Sequence, residues 1–153
     1  MDATLPPLIF LAETDAQIDA CFLIMVQLRP LIQANAFVAQ VRRLAAGGFL
    51  VAGVEVDNTV VAVAGFRITE NLIRGRFMYV DDLVVDGAWR SHGYGKTLLD
   101  WLVDYATRHH CTCVELDSGV QRFAAHRFYF QQRMVISAHH FSLPLAPPDS
   151  DPS

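Results

Sequence analysis

Short strand-like apolar runs alternate along the chain with stretches of helix-like spacing, a pattern typical of a mixed α and β fold. The first run, residues 8–13 (LIFLAE), predicts a strand. Thr14 or Asp15 can cap the helix that follows, because apolar residues recur there at helical spacing. Pro30 is expected to break or kink this helix. A second helix is predicted over residues 35–46, before a pair of glycines that ends it.

The middle of the chain predicts a three-strand meander. Two β-branched runs, FLVAGVEV and TVVAVAGFRI, are joined across Asp57 and Asn58, which strongly indicates a hairpin. RFMYVDDLVV predicts the third strand, although paired acids interrupt it. A helix over about residues 93–108, a strand in CTCVELD, a helix over about residues 121–132 and a final strand in the last pair of apolar segments, MVIS and HHFSLPL, complete the pattern.

This order predicts an α+β fold with a mixed, mostly antiparallel sheet flanked by helices. The strand ending at Val85, the helix after it and the strand at 112–117 would form one parallel crossover. At 153 residues the chain suits a single domain, expected over residues 1–145. Residues 146–153 are rich in proline, serine and aspartate and predict a disordered tail.

Composition excludes several classes of function. Hydrophobic residues make up 52% of the chain, but no apolar run approaches the roughly 20 residues of a membrane span. No signal peptide is recognised, so a cytoplasmic protein without a membrane partner is expected. The net charge of -4 argues against a nucleic-acid partner. Three unpaired cysteines and six histidines without a ligand spacing predict no disulfide framework and no metal.

The segment RSHGYGKT ends like a nucleotide-binding P-loop, but Arg90 stands where that motif requires its first glycine. A turn from a strand into a helix presents unpaired backbone N–H groups, and the helix dipole there favours an anion. Gly93 and Gly95 keep side chains away from those amides, and Arg90 adds a cation. Such a loop suits a pyrophosphate group, although a glycine-containing turn of this kind is more often purely structural.

The pattern Arg-x-x-Gly-x-Gly at residues 90–95, after a strand ending DDLVV, resembles motif A of the GCN5-related N-acetyltransferases (GNAT). The resemblance implies the GNAT fold, with a splayed central strand that pairs with the pantetheine arm, and acetyl-CoA as co-substrate. The cofactor contacts it implies are Leu83, Val84 and Val85 on the strand, and Arg90, Ser91, His92, Gly93, Tyr94, Gly95 and Lys96 in the loop.

A second stretch, RFAAHRFYFQQRM, also resembles the family, whose corresponding helix commonly has Asn-x-x-Ala-x-x-x-Tyr followed by Gly-Phe. Ala125 and Tyr129 keep that spacing, whereas Arg122 replaces the asparagine and the Gly-Phe pair is absent. The resemblance implies that the Tyr129 hydroxyl protonates the leaving thiolate. It leaves the role of Arg122 as a hypothesis, namely contact with the cofactor phosphates.

An amine acceptor needs a base, and the paired acids near the splayed strand are candidates. Asp81 stands where some polyamine-acetylating relatives carry an acid, so it ranks first and Asp82 second. Adjacent residues of a regular strand point to opposite faces, so only one of the two is expected to line the cleft. Glu115 and Asp117 remain alternatives.

The leading hypothesis is an acetyl-CoA-dependent N-acetyltransferase acting on the primary amine of a small molecule, such as an amino acid, polyamine or aminoglycoside. An acyl-CoA-binding regulatory module and a protein or peptide N-acetyltransferase remain alternatives, and a homodimer stays open. The acceptor should be selected by the region of the first two helices and by the β-hairpin loops. Arg67, Glu70, Arg74 and Arg76 are candidate contacts, although a solvated edge explains them equally well.

Overall fold

The computed structural model describes residues 5–147, which form two compact units divided in the sequence between Leu116 and Asp117. The prediction of one domain over residues 1–145 stays a prediction, and most of the predicted tail lies outside the described residues. In chain order the elements are β1 (Leu8–Leu11), α1 (Asp15–Ala20), α2 (Phe22–Leu28), α3 (Phe37–Ala45), β2 (Phe49–Val56), β3 (Thr59–Asn71), β4 (Gly75–Val85), a 3-10 turn (Gly87–Trp89), α4 (Tyr94–Arg108), β5 (Val114–Leu116) and α5 (Phe123–Gln131).

The first unit contains a five-stranded sheet in the order β1-β2-β3-β4-β5. The first four strands pair antiparallel, and β5 pairs parallel to β4 after the crossover through α4. The predicted α+β class and the mixed, mostly antiparallel sheet are thus confirmed. The hairpin between β2 and β3 turns on Asp57 and Asn58, whose φ angles of 50° and 63° suit a two-residue turn.

Helices cover both faces of this sheet. On one face, Ile18, Met25 and Phe37 from α1, α2 and α3 form a core with strand residues such as Phe49 and Val63. On the other face, the α4 residues Leu98 and Leu102 are fully buried, and the rings of Trp101 and Tyr105 meet Phe66 edge-on. The alternation of strand side chains explains the two layers, since Val63 and Phe66 point to opposite faces.

The first predicted helix is in fact two short helices, α1 and α2. The amide of Cys21 donates to the carbonyl of Ile18, three residues back, so the α-helical ladder is interrupted there by a tighter turn. Thr14 caps α1 as predicted, and its hydroxyl accepts from the amide of Gln17. Arg29 follows the last residue of α2 and forms its C-terminal cap.

The predicted final strand does not form among the described residues, so that prediction was wrong. Residues 132–147 contain no helix or strand, and β5 is limited to Val114–Leu116. The apolar side chains of this segment stay in solvent: Val135 is 79% and Phe141 91% exposed. Strand propensity reflects packing on a half-buried surface, and this segment has no ladder partner to provide one.

No helix within residues 5–147 has the length and apolar character needed to cross a membrane.

Candidate active site

A bulge in β4 places two acids side by side at one cavity. Asp82 lies opposite Gly65 on β3, but the next residue of β3, Phe66, lies opposite Val80, so Asp81 is an extra residue in β4. A bulge re-aims the side chains around it. Both Asp81 and Asp82 therefore line the same cavity, and the expectation that only one could do so was wrong.

The cavity belongs to the first unit and has a volume of about 450 Å³. Its floor is the β2–β4 surface around Arg67 and Tyr79, and its walls are the helices of the same face. Half of the twelve lining residues are apolar, namely Met25, Ile32, Phe37, Val41, Leu44 and Phe49. Apolar side chains together with a few placed charged groups are typical of a small-molecule site.

Asp81 is held by Arg67, which lies on the neighbouring strand. The Nε and Nη2 atoms of Arg67 donate to the two carboxylate oxygens of Asp81 at 3.1 and 2.7 Å. The guanidinium also lies over the Phe49 ring, 5.5 Å from its centroid, and the hydrogen bond from Arg67 to Asp81 raises the pKa of Arg67. Both oxygens of Asp81 are therefore occupied in a two-pronged ion pair.

Asp82 is the more buried acid, with its side chain 13% exposed. Arg29 at the end of α2 donates from Nε to Oδ1 at 2.8 Å and from Nη2 to the Asp81 carbonyl at 2.9 Å. Burial raises the pKa of Asp82 above its ordinary value of 3.8, and the Arg29 hydrogen bond only partly offsets this. Oδ2 accepts no hydrogen bond from the described residues, so Asp82 keeps a free proton-accepting atom.

Gly65 makes room for this arrangement. A β-carbon at Gly65 would lie 2.5 Å from Oδ2 of Asp82 and 2.5 Å from the Phe49 ring. Any larger residue would push the carboxylate or the ring out of place. A glycine inside a strand commonly marks a bulge or a close approach, so this position was the sequence signal for the bulge.

The edge of β4 facing β5 is open beyond the bulge. The pairing of β4 with β5 begins at Met78 and ends where Val80 meets Leu116. In the described part of the chain, residues 81–85 have no strand partner on that side. Leu83, Val84 and Val85, the predicted strand contacts of a cofactor, therefore present backbone groups to which an extended ligand could add as a strand.

The loop after β4 leads into α4 with its amides unpaired. Thr97 is the first residue whose N–H donates within the helix, to the carbonyl of Gly93 at 3.0 Å. The N–H groups of residues 91–96 find no acceptor in the described part of the chain. Such groups at the start of a long helix suit an anion. Ser91, His92, Gly93, Tyr94, Gly95 and Lys96 of the predicted set are thus brought together.

Two features of this loop depend on particular residues. Gly93 precedes α4 with a φ of 82°, which side chains disfavour, and its missing β-carbon faces open space. Arg90 at the start of the loop is exposed, whereas Lys96 is paired with Asp100 one turn along at 2.6 Å. The cation that would assist the amides is therefore Arg90, since Lys96 would first have to leave its partner.

Tyr129 and Arg122 lie in the second unit, on and just before α5. Burial raises the pKa of Tyr129 above its ordinary value of 10.0, and the charge of Arg122 opposes this only in part. The Tyr129 hydroxyl is therefore protonated at neutral pH. His126 on the same helix contacts the carbonyl of Gly119 through Nε2 at 2.7 Å, which gives it a local structural role.

The remaining candidates have structural partners. Glu115 accepts from Arg74 at 2.6 Å, and Asp117 lies 3.5 Å from His140. Arg76 donates to the carbonyl of His109. Of the arginines proposed as acceptor contacts, only Arg67 lines the cavity. Among residues 5–147 no group of three or more histidine, cysteine or acidic side chains could hold a metal ion.

Sequence reasoning missed Arg29, Phe49 and Tyr79 as cavity residues. Arg29 is 53 positions from Asp82 along the chain, and a contact of that kind leaves no local pattern.

Comparison with known proteins gives one family. The family model described as "Acetyltransferase (GNAT) family" matches residues 18–134, which is most of the chain. A curated relative, the uncharacterized N-acetyltransferase YhdJ of Bacillus subtilis (strain 168), is 36% identical over 91 residues. That match covers 58% of this chain, and the chain spans only 64% of the relative's length.

Solved structures give the same fold at low identity. The aminoglycoside N-acetyltransferase AAC(6')-Iy in complex with CoA has a TM-score of 0.79 at 13% identity, covering 92% of this chain and 97% of that one. A ribosomal-protein-alanine N-acetyltransferase from Brucella melitensis biovar Abortus 2308 has a TM-score of 0.78 at 17% identity, covering 92% and 100%. A Staphylococcus aureus acetyltransferase has a TM-score of 0.77 at 16% identity, covering 92% and 100%. The first two proteins are named for different acceptors, an aminoglycoside and a ribosomal-protein alanine. The shared fold therefore does not identify the acceptor of this chain.

Proposed function

Because the chain belongs to the acetyltransferase (GNAT) family, we propose that it transfers an acetyl group from acetyl-CoA to the primary amine of a small molecule, by direct attack in a ternary complex. The observation that carries the proposal is the sequence of features along β4. The two acids at the cavity, the open strand edge at residues 83–85 and the loop with unpaired amides follow in this order along the chain, with only the short 3-10 turn (Gly87–Trp89) between the edge and the loop.

The residues present fit the co-substrate. The unpaired amides of residues 91–96 and the charge of Arg90 suit a pyrophosphate, and the open edge of β4 suits a pantetheine arm. Arg122 remains a proposed additional contact to the phosphates. When bound, acetyl-CoA supplies the thioester and the leaving thiolate.

One of the two acids next to the open edge is proposed as the base that removes a proton from the amine acceptor. A primary ammonium with a pKa of about 10.4 has to lose a proton before it can attack the thioester carbonyl carbon. Asp82 is favoured ahead of Asp81, which reverses their order from the sequence alone. Asp82 has a free oxygen and a pKa raised by burial, whereas both oxygens of Asp81 are bound by Arg67.

Tyr129 is proposed as the acid on its position in the family motif. As the carbon–sulfur bond breaks, its hydroxyl would donate the proton that the thiolate needs, and the amine proton passes to Asp82. The raised pKa of Tyr129 is compatible with this role, because an acid has to be protonated at the working pH.

The cofactor assignment predicts a selective stabilisation. A ligand at about 100 times its Kd stabilises a protein by about 2.7 kcal/mol. For a protein of this size that should raise Tm by about 5 to 10 °C. Acetyl-CoA should produce this shift in a thermal melt, and ATP should not. A Gly93→Val variant, strained at the loop, should lose much of the acetyl-CoA shift, and an equal shift with ATP would contradict the assignment.

A further inference from the structure

The charged and apolar side chains of the cavity beside β4 narrow the class of amine that it can bind. This inference rests on the proposed acetyl transfer. We propose that the acceptor is a small primary amine with one positive charge and an apolar body, and that the cavity discriminates against polyamines and other polycations. Two features of the cavity support this acceptor: the pairing of its charged side chains and the apolar side chains in its walls.

The positively and negatively charged side chains that line the cavity are equal in number. Two arginines and two aspartates line it, and each acid has its own arginine: Asp81 with Arg67, and Asp82 with Arg29. Gln40 adds a neutral polar group. A single ammonium that gives its proton to Asp82 needs no further acid. A second ammonium would find every carboxylate of the cavity already paired and two guanidinium groups nearby.

The pairing is held by short contacts. The Arg67–Asp81 pair uses two hydrogen bonds at 3.1 and 2.7 Å, and the Arg29–Asp82 pair uses one at 2.8 Å. Arg67 is also held over the Phe49 ring. A polycation would have to displace one of these arginines or hold its second charge beside the two guanidinium groups, and both are unfavourable.

The walls favour an apolar body on the same acceptor. Phe37 and Phe49 face the cavity together with the aliphatic side chains of Met25, Ile32 and Val41. Apolar acceptor groups are removed from water against these side chains, which is favourable in proportion to the area buried.

The experiment compares two acceptors that differ only in the second ammonium, hexylamine and hexamethylenediamine, with phenethylamine as an aromatic monoamine. The release of CoA thiol at one fixed pH gives kcat/KM for each. We expect both monoamines to exceed the diamine by about tenfold or more, the ratio that corresponds to about 1.4 kcal/mol. A diamine preference in the wild-type protein would overturn the inference while leaving acetyl transfer intact. No thiol release with any amine would instead overturn the proposed function, and the inference with it.

Charge variants test the mechanism of selection. Arg67→Gln leaves Asp81 unpaired, so the ratio of diamine to monoamine kcat/KM should rise about three- to tenfold. The double variant Arg67→Gln/Asp81→Asn restores neutrality and should return the ratio to its wild-type value. Arg74→Gln removes a comparable arginine paired with Glu115 outside the cavity, and should leave the ratio unchanged. If the diamine-to-monoamine ratio of kcat/KM changes among these variants with their folding stability, and not with the net charge of the cavity, the proposal is contradicted.

Discussion

Replacing Asp82 with asparagine is expected to lower kcat/KM for the amine by about a hundredfold or more, within the range that general bases contribute. Asparagine keeps the oxygen that accepts from Arg29 Nε but cannot take a proton. The binding of acetyl-CoA should persist, because the loop amides and the edge of β4 are unaffected. Thiol release and cofactor binding, measured separately, separate these two effects.

Asp81→Asn is the matched control, since it changes the same residue type one position away. Asp81 is occupied by Arg67, so its loss should cost activity about tenfold less than the loss of Asp82. Equal losses from the two substitutions, or a larger one at Asp81, would contradict the assignment of the base.

The pH dependence of Asp82 has a defined sign. Its pKa is higher in the folded protein than in the unfolded chain, so folding favours its protonated form, and its stabilising contribution falls as pH rises from about its ordinary value of 3.8 through the raised value. Activity has the opposite requirement, because the base has to be ionised. The acidic limb of the pH–activity profile that is due to Asp82 should therefore lie above pH 3.8, and it should disappear in the Asp82→Asn variant.

Replacing Tyr129 with phenylalanine is expected to reduce kcat by about a hundredfold, because the proton for the leaving thiolate is lost while the ring remains. The Kd for acetyl-CoA should change little. Burial raises the pKa of Tyr129 above 10.0, so any loss of activity from its ionisation belongs above that value, as pH rises. Single-turnover kinetics with a fixed amine measure the effect on the chemical step.

Tyr105→Phe provides the comparison for Tyr129. It removes a hydroxyl from a partly buried tyrosine on α4, whose ring is stacked on His109. Its kcat should stay close to that of the wild type. If Tyr129→Phe also keeps wild-type turnover, the acid is another group or water.

The sequence predicted those turns, helix starts and strands that depend on residues close together in the chain. The turn at Asp57 and Asn58, the helix start after Gly93 and the order of β2, β3 and β4 all follow from residue types at fixed spacings. The loop amides follow from the same signals, because a helix start leaves its first N–H groups unpaired wherever it occurs.

The cavity beside β4 depended on contacts that no local pattern contains. The bulge at Asp81 reverses the alternation expected of a regular strand, and only Gly65 on the neighbouring strand hinted at it. Arg29 reaches Asp82 because α2 ends beside β4, which is a tertiary result. The same reason explains the wrong prediction of a final strand, since apolar composition in residues 134–145 could not supply a partner strand.

Acetyl transfer to a small amine can be measured by mass spectrometry of the amine after incubation with the protein and acetyl-CoA, with free CoA thiol counted in parallel. We expect an N-acetylated amine formed in equal amount to the thiol, dependent on the amine and lost in Asp82→Asn. Binding of acetyl-CoA without any amine-dependent thiol would contradict acetyl transfer and favour an acyl-CoA-binding regulatory module.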